Sequence, residues 1–171
     1  MDRLDIPVYI GEEYPMVREL ITAEDTHGED GLGETFYPDV DDIEIKTNGV
    51  DFILDTLRNN KDVSIIALGS MTNLAKALEK DKKSFSNALE IVSMGGAFKS
   101  HGNCSPVAEF NYWVDPHAAK FVYANSTLLI SMICLDVTRE IVLTPNYIEL
   151  LKQFKNPISD FIVDITRFYV D

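Results

Sequence analysis

Three observations predict an α/β fold, a Rossmann-like open and mainly parallel sheet with flanking helices. Short β-branched runs alternate with helical stretches from residue 63 onward, which is the pattern of βαβ units and so of parallel strands joined by crossovers. Three apolar runs end in small or polar residues, Leu68-Gly69-Ser70, Met94-Gly95-Gly96 and Leu135-Asp136-Val137-Thr138. Asp115 directly precedes Pro116, pairing a side-chain cap with a ring that fits the first helical turn.

In chain order, residues 6–11 read as a short strand, 22–38 as a glycine-punctuated loop, and 50–57 as a short helix behind Asn48. The alternating region follows: strand 63–68, a helix beginning over 73–78, strand 89–94, helix 116–124, and strand 128–135 with Cys134 inside it. Thr144 and Pro145 open a further helix to about residue 154. Ile158, Phe161, Ile162, Ile165, Phe168 and Tyr169 form an apolar stripe at helical spacing, expected to face a core rather than a partner. No internal repeat or low-complexity linker interrupts the sequence, so residues 1–171 are expected to form a single domain. With 171 residues and 46% hydrophobic content, a chain of this size buries about 70% of the surface its unfolded form exposes.

The formal charge of -13 argues against nucleic acid and anionic membranes, because phosphate contacts need clustered Lys and Arg. Much of the acidity falls in residues 24–55, a run that reads as a solvated face or as carboxylates for a hard cation such as calcium. Residues 25–30 and 39–44 both lack the glycine that an EF-hand loop needs at its sixth position. Cys104 and Cys134 make neither a disulfide framework nor a metal-ligand spacing, which suits a reducing cytosol. The longest apolar run, 128–135, is too short to span a bilayer, and the expectation is a soluble, cytoplasmic protein.

The densest concentration of chemistry is residues 94–119. Between the diglycine and the Asp115-Pro116 helix start lie Asn103, Glu109 and Asn111, amide and carboxylate groups suited to hydrogen-bonding several hydroxyls of a polyol or sugar; the alternative is an ordinary polar loop. Ligands of open α/β sheets bind beyond the carboxyl ends of strands, so one crevice is expected to collect all three strand ends. Glycine there permits close backbone approach to a ligand, and a strand-terminal carbonyl such as that of Leu68 is free to take a metal or a hydroxyl.

Four motifs in order, TAEDTHGEDGLG (22–33), ALGSMTNLAKAL (67–78), VSMGGAFKSHGNCSPVAEFNYWVDPHAAK (92–120) and LDVT (135–138), resemble the inosine-uridine preferring nucleoside hydrolases over essentially the whole chain. The resemblance implies hydrolysis of the N-glycosidic bond of a ribonucleoside, releasing base and ribose with one bound calcium. It further implies that Asn111 bonds the 2′ and 3′ hydroxyls, that Glu109 and Asn103 hold the 5′ hydroxyl, and that Met94 packs on the sugar. Leu68 would offer its carbonyl to calcium and His27 would lie near the base; a cap on the glycine-rich loop is the other reading of His27. Asp136 reads as a loop cap or a supporting carboxylate, Tyr112 and Trp113 as packing, and His101 and His117 as without a site role. Homo-oligomers are the implied assembly, and base preference depends largely on parts of the family outside this segment.

The family's D-x-D-x-x-x-D-D strand end, source of the general base and of two calcium carboxylates, is not reproduced by Asp2 and Asp5. Its later His-Asp pair would fall beyond Asp171. The sequence is therefore expected to be a middle fragment with no general base and one recognisable calcium ligand, so that calcium binding is weak or absent. Such a chain would be a non-catalytic module that binds ribose-like ligands or assembles with a complementary chain.

Overall fold

The computed structural model describes residues 5–40 and 44–170. Asp2, Asp171 and the 41–43 part of the tested acidic loop lie outside the described residues. The elements in order are β1 (Val8–Tyr9), α1 (Glu24–His27), β2 (Ile45–Lys46), α2 (Gly49–Asn59), β3 (Ser64–Ala67), α3 (Thr72–Lys80) and α4 (Lys82–Phe85). There follow β4 (Glu90–Met94), α5 (Phe110–Val114), α6 (Pro116–Asn125), β5 (Leu129–Ile133), α7 (Leu135–Thr138), α8 (Pro145–Gln153) and α9 (Pro157–Val170). The described residues divide into two compact units, one of Pro7–Leu20 with Ile45–Glu140, the other drawn from the described parts of 5–6, 21–44 and 141–170.

In the larger unit β3, β4 and β5 form a parallel sheet in that order, as the alternating pattern predicts. Side chains alternate across a strand, and the register aligns Ile65, Ile91 and Ile130 on the face that the helices cover. That face joins Leu54 and Leu57 of α2, Leu74 and Leu78 of α3, Phe85 of α4 and Val122 of α6 in one core, each large apolar side chain contributing about 1.5–3 kcal/mol by burial. Ala75 and Ala118 are fully buried where α3 packs on α6; small residues at a helix crossing let the axes approach closely. On the other sheet face Ile66 and Leu129 are exposed. A two-stranded parallel pair, Val8 with Ile45 and Tyr9 with Lys46, completes the unit.

Asp115 fixes three segments at once. Its carboxylate is fully buried; Oδ2 accepts from the Thr72 hydroxyl at 2.7 Å and the Met16 N–H at 2.9 Å, and Oδ1 accepts from the Ala118 N–H at 3.0 Å. The last bond is the helix cap that Asp115-Pro116 predicts.

The smaller unit pairs α8 with α9 and α1 with α9. Tyr37 donates to Asp164 at 2.7 Å, and Gly33, at φ +73, passes so close to the Ile165 carbonyl that a Cβ would lie 2.5 Å from its oxygen. The 158–169 stripe is only partly covered: Phe161, Ile162 and Ile165 are half-buried, Ile158, Phe168 and Tyr169 are exposed, and Ser159 is the buried residue of α9. Helical spacing specifies a stripe but not what covers it. Two further corrections concern short helices. The 22–38 loop contains α1, and β5 stops at Ile133, so that Cys134 precedes α7 instead of lying within a strand.

Candidate functional site

The site is built at the carboxyl end of β4. Met94 ends the strand, Gly95 and Gly96 turn the chain, a loop runs to Glu109, and α5 begins. Glu109 is extended at the helix N-cap and only 2% exposed, a placement that costs stability unless its oxygens find donors. They do. Oε1 accepts from the Asn111 N–H at 2.8 Å, and Oε2 accepts from the Gly96 N–H at 2.8 Å and the Tyr112 N–H at 3.3 Å. One carboxylate thus caps α5 and pins the turn after β4.

Asn111 lies on the first turn of α5, and its Nδ2 donates to the Met94 carbonyl at 3.1 Å and contacts Met94 Sδ at 3.0 Å. Its Oδ1 accepts no hydrogen bond among the described residues. Asn103 has the opposite arrangement: Oδ1 accepts from the Phe110 N–H at 2.9 Å, which leaves Nδ2 as the donor. Met94, Glu109 and Asn111 are therefore directly connected, and Asn103 joins them through the Phe110 N–H beside Glu109. Together they offer an acceptor at Asn111, a donor at Asn103 and a buried carboxylate between them, a combination that suits adjacent hydroxyls.

Leu68 follows β3 one residue past the Ala67–Ser93 pair, at the same end of the sheet, with its side chain exposed. His27 belongs to the smaller unit. It ends α1, its carbonyl accepts from the Gly33 N–H at 2.8 Å, and its ring stacks on Tyr169 at 6.2 Å between centroids. A cavity of about 310 Å³ beside it is lined by Thr22, Glu24, His27 and Asp30 among others. Asp30 holds this glycine-rich loop by accepting the N–H groups of Leu32, Glu34 and Phe36 at 2.8–2.9 Å. Burial works against that carboxylate, but the three N–H bonds prevail and keep it below the usual carboxyl range.

Gly95 has a different purpose from the expected one. A Cβ there would run into the ring of Tyr112, so the missing side chain makes room for a neighbouring aromatic and not for a ligand. Tyr112 donates to Ser93 at 3.0 Å and shares a hydrogen bond with Tyr123 at 2.8 Å. Arg18 bonds the Trp113 carbonyl and lies 4.2 Å over its ring. Both aromatics make intramolecular packing contacts.

Asp136 caps the loop after β4 by accepting the Phe98, Lys99 and Ser100 N–H groups, and Arg139, which the sequence did not single out, joins it. Arg139 follows LDVT directly and is the one strong cation beside that motif, a signal legible only once α7 is known to exist. Another cavity, of about 460 Å³ and lined by Asn48, Gly49, Asp51, Lys76 and Lys80 among others, holds charges that satisfy one another. There Lys80 pairs with Asp51, and Lys76 with Glu79.

Calcium takes about six to eight oxygen ligands. Among the described residues no group of three or more His, Cys, Asp and Glu is placed to hold a metal ion, and the buried carboxylates Glu109 and Asp115 are occupied by N–H and O–H donors. The described residues do not by themselves fit a calcium site. No described helix is long and apolar enough to cross a membrane.

The model of the inosine-uridine preferring nucleoside hydrolases matches residues 1–171. An uncharacterized protein of Schizosaccharomyces pombe is 40% identical over 162 residues, 94% of this chain and 52% of the relative. The pyrimidine-specific ribonucleoside hydrolase RihB of Escherichia coli is 36% identical over 167 residues, 96% of this chain and 52% of the relative. A solved structure, the purine-preferring ribonucleoside hydrolase from Gardnerella vaginalis, matches with a TM-score of 0.88 at 30% identity, covering 96% of this chain and 54% of that one. The chain spans about half the length of these relatives.

Proposed function

The chain belongs to the inosine-uridine preferring nucleoside hydrolase family, and we propose that it is the ribose-recognition part of a ribonucleoside N-glycosidase that releases base and ribose. The observation that carries this is the connected set Met94–Asn111–Glu109–Gly96 at the end of β4. A carboxylate offers about four acceptor sites, and three N–H donors use three of them, so Glu109 keeps one for a sugar hydroxyl. Asn111 Oδ1 accepts from the 2′ and 3′ hydroxyls, Asn103 Nδ2 donates toward the 5′ hydroxyl, and Met94 packs on the ring. Leu68 is the residue that the resemblance assigns to calcium, through its backbone carbonyl. The relatives include a pyrimidine-specific and a purine-preferring enzyme, which fits a shared sugar site with base choice made elsewhere.

Glycosidic hydrolysis passes through an oxocarbenium-like transition state and needs a general base. Three of the four acceptor sites of Glu109 are taken by backbone N–H groups, and the described residues do not by themselves fit calcium. This supports the second reading, that the isolated chain is non-catalytic, binds calcium weakly or not at all, and binds ribose-like ligands or assembles with a complementary chain, itself or as a homo-oligomer. The charge of -13 favours a neutral small molecule over nucleic acid or membrane, and two free cysteines fit a cytoplasmic setting.

The test is calorimetric titration of the purified chain with methyl β-D-ribofuranoside, beside hydrolysis of inosine and uridine in millimolar calcium. The expected result is binding without turnover, with Asn111→Ala weakening affinity by about 2- to 10-fold per hydroxyl bond lost. Failure of the folded chain to bind overturns the ribose assignment. Turnover that disappears in Glu109→Ala overturns the non-catalytic reading.

A further inference from the structure

We propose that Asp136 and Arg139 are positioning residues for recognition of the sugar 5-hydroxyl, acting through the loop that carries Asn103; this rests on the ribose reading above. Asp136 Oδ1 accepts from the Lys99 and Ser100 N–H groups, both at 2.9 Å, and Oδ2 accepts from the Phe98 N–H at 2.9 Å and the Cys134 thiol at 3.0 Å. Arg139 Nη1 donates to Ser100 Oγ at 2.8 Å and to the His101 carbonyl at 2.7 Å. Its Nη2 donates to the Gly102 carbonyl at 3.0 Å and lies 3.0 Å from His101 Nδ1. Five consecutive residues, 98–102, are thus held by two side chains three positions apart on one short helix and its C-cap, a spacing that puts both on the same face.

Nothing apolar does this work. Phe98 is 73% exposed, so the loop has no hydrophobic anchor and takes its conformation from the polar clamp. The constraint passes directly to Asn103. Gly102 is buried and hemmed in by Ser105 and Ala108 backbone atoms that leave no room for a Cβ, and the Asn103 N–H donates to the Ala108 carbonyl at 3.0 Å. With the backbone fixed on both sides, Asn103 Oδ1 meets the Phe110 N–H and Nδ2 is left for a ligand. Arg139 suits this task because its planar fork reaches several acceptors at once, which a lysine cannot do.

The test measures the ratio of dissociation constants of methyl 5-deoxy-β-D-ribofuranoside and methyl β-D-ribofuranoside on the full chain. One lost hydrogen bond sets a wild-type ratio of about 2 to 10. Asp136→Asn and Arg139→Gln are expected to bring the ratio close to 1 while affinity for the 5-deoxy sugar stays within about twofold of wild type, and Arg139→Lys to give an intermediate ratio. A general loss of structure would lower both affinities together, so the ratio isolates positioning. Arg139→Gln bonds only the loop and keeps the test open if Asp136→Asn does not fold. If Asn103→Ala collapses the ratio but both clamp variants keep it, the inference is overturned and the ribose reading stands. A ratio unchanged in Asn103→Ala, or no binding by wild type, overturns the ribose reading and this inference with it.

Discussion

Replacing Asp115 by alanine strands three donors around a fully buried position: the Thr72 hydroxyl, the Met16 N–H and the Ala118 N–H. A buried polar group left without its partner costs about 1–3 kcal/mol, and Met16 is only half-buried, so water recovers part of its loss. Thr72 and Ala118 together then cost about 2–6 kcal/mol, with the lost helix cap already contained in the Ala118 share. Against a typical domain stability of about 5–15 kcal/mol this is a large fraction. At about 2–4 °C per kcal/mol for a chain of this size, the thermal midpoint falls by roughly 4–24 °C. Asp115→Asn keeps the shape, but its amide group must face donors on one side, so it should fall between the two. Urea denaturation followed by circular dichroism gives both values, read from the midpoint at constant slope. A loss below about 1 kcal/mol for Asp115→Ala would refute the reasoning, because it would mean that the three segments hold together without this carboxylate.

Gly95→Ala forces a methyl group into the Tyr112 ring and should cost about 1–3 kcal/mol as overpacking, with most of that recovered in the double variant with Tyr112→Leu; equal losses in both backgrounds would contradict the packing role. Gly33→Ala should cost more than an ordinary surface change, since φ +73 and the Ile165 carbonyl both oppose it, and denaturation midpoints check it. Asp136 is held well below the usual carboxyl range by the Cys134 thiol and then by the Phe98 and Lys99 N–H groups, and Asp81 by Ser84 and Arg58. A carboxyl whose folded value is depressed stabilises fully above its unfolded value, about pH 4, and loses that stabilisation as pH falls toward the folded value. Asp136→Asn should therefore flatten the fall of stability below about pH 4; an unchanged acid limb in denaturant titrations at several pH values would contradict it.

Much of the sheet was legible because its signals are local. β-branched runs at residues 63–68 and 89–94 became β3 and β4 within two residues at their ends, and Asp115-Pro116 capped α6 as written. What escaped depended on tertiary partners. The residues of α7, LDVT, continue the apolar run of β5, and the distinction is made by Asp136 and Arg139 bonding a loop almost forty residues away in sequence. The α9 stripe has the right period, but its exposure is set by what packs on it. Of the site, Glu109 was readable as a carboxylate that must find donors if buried. The function of Gly95 was not readable, because the ring that fills its space comes from Tyr112, seventeen positions on and a turn into α5.

The central claim is that the Met94–Asn103–Glu109–Asn111 set recognises ribose, and it is tested most directly by amide chemical-shift mapping with methyl β-D-ribofuranoside and its 2-epimer, the arabinofuranoside. The prediction is saturable shifts concentrated at Gly96, Asn103 and Asn111 with the ribo sugar, and weaker ones with the epimer, whose 2-hydroxyl points away from its neighbour. Shifts elsewhere, or equal shifts with both sugars, would contradict it.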